Sequence, residues 1–89
     1  MIELLKVQVP QYLTELDQSI RTRDLELLIR AAHTLAGSAF HFGAESVVQA
    51  AIKLEEMGHA GTFEGAEPAL ATLKREVDLM LAGLANGLR

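Results

Sequence analysis

The chain has 89 residues, 49% of them apolar and 4% aromatic, with a formal charge of −4 and no Cys. Disulfides, thiolate chemistry and zinc-finger frameworks are thereby excluded, and the lack of Cys fits a cytoplasmic setting. Scattered Lys and Arg argue against nucleic acid, whose backbone needs clustered cations, and no apolar run approaches the ~20 residues of a membrane span.

The length suits one small domain, taken as residues 1–89. Ala and Leu dominate, which favours helix. The opening "MIELLKVQVP" lacks the pattern of a signal peptide. Four helical segments and no strand are expected, with no internal repeat. The first runs from about Pro10 to Arg21, with Pro10 in its first turn and residues 2–8 as a short helical lead-in. Leu13, Leu16 and Ile20 recur at helical spacing and should face inward.

Asp24 suits the N-cap of a second helix. Its apolar stripe is Leu25, Leu28, Ala32, Leu35, Ala39 and Phe42. Gly43 is free to take positive φ and stop it. The third helix runs from about Ala44 to Met57, with Val47, Val48, Ala51, Leu54 and Met57 inward, and "GHAG" at Gly58–Gly61 reads as a turn. The fourth starts either after a Thr62 cap or with Pro68 in its first turn. Leu70, Leu73, Val77, Met80, Leu81 and Leu84 form its inner stripe. Short connections favour antiparallel neighbours, hence an all-α, up-down-up-down four-helix bundle.

One stretch of the second helix, "AAHTLAGSAFHFGA", places Gly37 one turn after His33. At about 100° per residue, His33 lies roughly 100–130° from the centre of the apolar stripe, at the core edge or on the surface. Helical side chains lean toward the N-terminus, so residues 36 and 37 lean over residue 33. Those residues are Ala36 and Gly37, which leave space beside the ring. A neutral imidazole on a rigid helix with open access is a competent nucleophile near pH 7. Attack on a phosphoryl group needs mainly position, with activating charge supplied from outside. Taken singly, His33 reads as an ordinary surface histidine and Gly37 as a site of close helix packing.

Taken together, His33, Leu35, Gly37, Ser38, Ala39 and Gly43, with Leu54-Glu55 on the next helix, resemble the signature of histidine-containing phosphotransfer (HPt) domains. The motif covers roughly Asp24 to Gly61. The resemblance implies that His33 accepts a phosphoryl group and exchanges it with an aspartate of a response-regulator receiver domain. It implies a relay in two-component signalling with receiver domains, or a hybrid sensor histidine kinase, as partners, and leaves the direction of phosphate flow open. The domain would act as a monomeric phosphocarrier without an ATP site, cofactor or metal of its own, with Mg2+ expected on the receiver. Its setting would be cytoplasmic, alone or within a membrane-anchored kinase. Glu55 would hold the non-reacting ring nitrogen; its alternative is a solvated carboxylate beside Glu56.

Ala36 departs from the pattern, since the family usually has Lys there. Arg30, Lys53 and His41 are the candidates for a substitute cation. Ile29, Ala36 and Phe40 share the side of His33 and form the expected docking surface, with a core position as the alternative for Phe40. Two competing functions remain on the sequence. One is a helical docking bundle without chemistry. The other is a metal site of His33, His41 and His59, disfavoured because His33 and His41 stand ~12 Å apart along one helix.

Overall fold

The computed structural model describes the backbone of residues 2–41 and 43–87, and the side chains of 8–41 and 43–83. Phe42 and Leu84, both assigned to inner stripes, lie outside the described side chains, as do most of residues 2–8. Helices α1 (Ile2–Thr22), α2 (Leu25–His41), α3 (Glu45–His59) and α4 (Ala66–Gly87) are the regular elements of the described residues, which include no strand. Among these residues α1 packs on α2, α2 on α3, α3 on α4, and α4 closes on α1, while the diagonal pairs do not meet. This is an all-α four-helix bundle. The guanidinium of Arg23, after α1, lies 5.8 Å from the ring centroid of Phe63, before α4. Both turns therefore sit at one end, as alternating helix directions require. No described helix is long and apolar enough to cross a membrane.

The first helix is longer than the proline suggests. It starts at Ile2 and carries Pro10 inside it, so the expected lead-in and helix are continuous. Pro10 is exposed, which spares the core its bulk, and Val9 beside it is fully buried. Burial of Val9 ties the N-terminal half to the bundle despite the missing backbone N–H.

The ends of α2 follow the sequence closely. Asp24 Oδ1 accepts from the backbone N–H of Leu27 at 3.1 Å, which satisfies one of the orphan donors of the first turn. At the other end Gly43 has φ +71°. Its N–H donates to Phe40 O and that of Ala44 to Ala39 O, at 3.1 and 3.0 Å. This pair is a Schellman closure, which needs a left-handed residue between helix and loop.

The turn assigned to Gly58–Gly61 is corrected. Helix α3 continues through Gly58 to His59, and only Gly61 takes positive φ. Gly58 is buried inside the helix instead. The start of α4 also resolves. Thr62 Oγ1 accepts from Glu64 N–H at 3.0 Å in a local turn, so it does not cap the helix. Gly65 O accepts the first helical bond, from Ala69 N–H, and Pro68 lies in the first turn, where its missing donor costs little.

The core is built from the expected stripes. Leu16, Leu28, Ala32, Leu35, Ala39, Val47, Ala51, Leu54, Leu73 and Val77 are buried. Ala31 and Ala36 join them, because α2 packs against both α1 and α3 and needs a wider apolar face than one stripe. Buried Ser19 donates to Leu16 O at 2.6 Å, so its hydroxyl is satisfied.

Candidate functional site

His33 projects from the middle of α2 with its side chain 75% exposed, and Glu55 of α3 faces it with 21% exposed. Nδ1 of His33 stands 3.0 Å from Oε2 of Glu55. A carboxylate only accepts hydrogen bonds, so Nδ1 carries the hydrogen and donates it. In the neutral ring the lone pair is then on Nε2, the nitrogen that Glu55 leaves free. The pair therefore fixes both the orientation of the imidazole and its nucleophilic atom. Sequence spacing alone left Glu55 open between this position and a solvated carboxylate; the α2–α3 packing brings it to the ring.

Around His33 lies an open cavity of about 300 Å3, walled by Ala36, Gly37 and Phe40 from α2 and by Val48, Ile52 and Glu55 from α3. A Cβ at Gly37 would meet no atom within 4 Å. Gly37 therefore does not serve close helix packing. Its missing side chain leaves open room beside the ring. Ala36 is 8% exposed and forms part of the cavity wall. Phe40 is 71% exposed, so it is not a core residue. Its ring lies on the surface at the cavity edge, with Val48 and Ile52 opposite.

The candidate cations are not drawn into this cavity. Arg30 is exposed, and among the described residues it makes no ion pair with a site residue. Lys53 lines a groove on the other side of α3, with Thr72 and Glu76 of α4. His41 is exposed at the last turn of α2. Among the described residues, the wall of the cavity thus holds apolar residues and one carboxylate, without Lys or Arg.

His59 enters the site instead. Its Nε2 is 3.6 Å from the same Oε2 of Glu55, one helical turn along α3. The sequence placed this residue in a turn, and only the extension of α3 brings it onto the face of Glu55. Helix α2 is unbroken from His33 to His41, so the three histidines do not converge, and among the described residues no cluster has the arrangement of a metal centre.

This constellation has room for one small group on Nε2 and an apolar rim for a larger body. A side chain such as Gln at position 37 would lean back over His33. Gly37→Gln is expected to leave the bundle folded, and more stable by up to ~1 kcal/mol because Gly is a poor helix former. If His33 acts as the resemblance in the sequence implies, the same change should block phosphoryl exchange with a receiver domain. Thermal melts and labelling from a phosphorylated receiver check both halves; full transfer by the variant would show that the space has no role.

Compared with models of known protein families, the chain matches the Hpt domain over residues 1–87. No curated protein and no solved structure matches it.

Proposed function

The chain belongs to the Hpt domain family, and from that premise we propose that it is a phosphorelay carrier whose phosphoacceptor is Nε2 of His33. The family implies histidine phosphotransfer within two-component phosphorelays and interaction with response-regulator receiver domains. The observation that carries the assignment to His33 is its bond to Glu55. That bond holds the ring by Nδ1 and presents a free, exposed Nε2 over the space left by Gly37.

The step is an exchange between two acceptors. The Nε2 lone pair forms the N–P bond as the P–O bond of an aspartyl phosphate breaks, and the aspartate carboxylate leaves. The hydrogen stays on Nδ1, still donated to Glu55, so the ring becomes an imidazolium-like phosphoramidate whose positive charge faces a carboxylate. That charge makes the N–P bond labile, and the reverse step returns the phosphoryl group to an aspartate.

Among the described residues, the cavity supplies no Lys or Arg to the phosphoryl oxygens. Since phosphoryl transfer depends on positioning and charge stabilisation, the cations come from the receiver, with its Mg2+. On this reading the domain holds no cofactor of its own and acts as carrier, not as kinase. Phe40, Val48 and Ile52 form the apolar rim on which the receiver seats, in the cytoplasm where receivers work.

The test is incubation with a panel of phosphorylated receiver domains in Mg2+, followed by mapping of the phosphate. The expected product is one acid-labile, base-stable phosphate on His33. A bundle that binds receivers tightly yet takes label from none of them would overturn the proposal in favour of a docking role.

A further inference from the structure

Gly58 lies buried within α3, three residues beyond Glu55. An interior glycine weakens a helix relative to Ala. Left-handed backbone does not explain it, because the glycines with positive φ are Gly43, Gly61 and Gly65. What explains it is Ile29 of α2. A Cβ at Gly58 would stand 2.5 Å from Ile29 Cγ1, 3.3 Å from Cδ1 and 3.6 Å from the Ile29 backbone nitrogen. The two glycines near the site thus differ in kind. The place of a side chain at Gly37 is open, and that at Gly58 is already occupied.

Ile29 precedes His33 by four residues, and Gly58 follows Glu55 by three. In antiparallel helices these two contacts stack, about one turn or ~5 Å apart along the axes. The Ile29–Gly58 contact therefore sets how near α3 approaches α2 beside the His33–Glu55 bond. We propose that Gly58 is a positioning residue for transfer through His33: it lets α3 settle on Ile29 closely enough for Glu55 to hold Nδ1. The proposal rests on His33 as the phosphoacceptor.

The distances decide what a methyl group at position 58 would do. Carbon atoms rest at about 3.5–4.0 Å, so a contact of 2.5 Å must open by roughly an ångström. Ile29 cannot swing Cγ1 aside cheaply, because a β-branched side chain in a helix has one strongly preferred χ1. The helices must part or roll. A bond of 3.0 Å between His33 and Glu55 does not survive a displacement of that size. The imidazole would then exchange between tautomers, and Nε2 would lose its fixed lone pair. No proton enters or leaves the balance of the transfer step; only its geometry is affected.

The experiment compares wild type, Gly58→Ala, Ile29→Ala and the double variant. Two readouts are taken: the 15N signature of the His33 tautomer by NMR, and the rate of labelling from a phosphorylated receiver. Gly58→Ala is expected to lose the Nδ1–H tautomer as the dominant form and to label about tenfold more slowly. In the double variant, where Cγ1 is gone, both readouts should return to within about twofold of Ile29→Ala alone. In a Glu55→Ala background the added Gly58→Ala should change the rate less than twofold, because the group it positions is absent. That last result separates positioning from a general loss of stability, which would slow labelling in any background. A wild-type tautomer and rate in Gly58→Ala overturns the proposal. So does a slow Gly58→Ala that Ile29→Ala fails to relieve. Failure of the phosphoacceptor reading is a separate result: wild type would take no label, while the tautomer measurement still reports on Gly58.

Discussion

His33→Gln is expected to abolish phosphoryl uptake, on the order of a thousandfold or more, the scale on which loss of a nucleophile is felt. Gln matches the size and polarity of the ring but has no basic nitrogen, so no N–P bond can form. His33 is three-quarters exposed, and its removal opens no cavity in the core. The melting curve should therefore stay close to wild type, since surface changes usually fall within about 0.5 kcal/mol. Glu55→Ala makes the informative contrast. It leaves the nucleophile and removes the group that holds Nδ1, and it should slow labelling by about ten- to a hundredfold, the cost of losing a carboxylate that orients a histidine. Labelling is the readout for both. Equal uptake by His33→Gln and wild type would move the acceptor elsewhere in the chain. Unchanged rate in Glu55→Ala would show that the ring needs no anchor.

The second large effect is on stability. Leu35 lies on α2 two residues beyond His33, is wholly buried, and packs in the central cluster with Leu28, Leu54 and Leu73. Leu35→Ala should cost about 2–5 kcal/mol, combining lost transfer energy with the cavity left behind. Small domains have little to spare, because native stability is about 5–15 kcal/mol. At about 4–8 °C per kcal/mol for a domain of this size, the midpoint should fall by at least about 8 °C. Labelling at ambient temperature should fall with it only as far as the folded fraction does, since the His33–Glu55 pair survives in folded molecules. Leu35→Met, close in volume, should cost less than about 1.5 kcal/mol. Thermal and urea melts distinguish these outcomes; a Leu35→Ala protein as stable as wild type would contradict the placement of Leu35 in the core.

Much of this arrangement was legible in the chain. The helical stripes depend on a period of 3.6 residues, which is a local property, and Leu16, Leu35, Leu54 and Leu73 are buried where that period puts them. Asp24 and Gly43 mark helix ends through chemistry confined to a few neighbouring residues. The openness of His33 also follows from its own helix, through the angle it makes with the stripe and the small residues that lean over it.

Three features required the packed bundle. Whether Gly58 breaks a helix or brings two together depends on Ile29, twenty-nine residues earlier, and no local rule contains that contact. The reach of α3 to His59 depends on the same packing, which extends the helix past the glycine and brings a second imidazole to Glu55. The length of α1 depends on Val9, whose burial outweighs the local signal of Pro10. The sequence by itself determined the helices, their inner faces and an accessible imidazole, because each follows from residues within a turn or two. The tertiary structure decided which nitrogen of His33 is free, which glycine is space and which is contact, and that no Lys or Arg among the described residues lines the cavity. Those are matters of distance between α2 and α3, which is set by side-chain volume across the interface rather than along either chain segment.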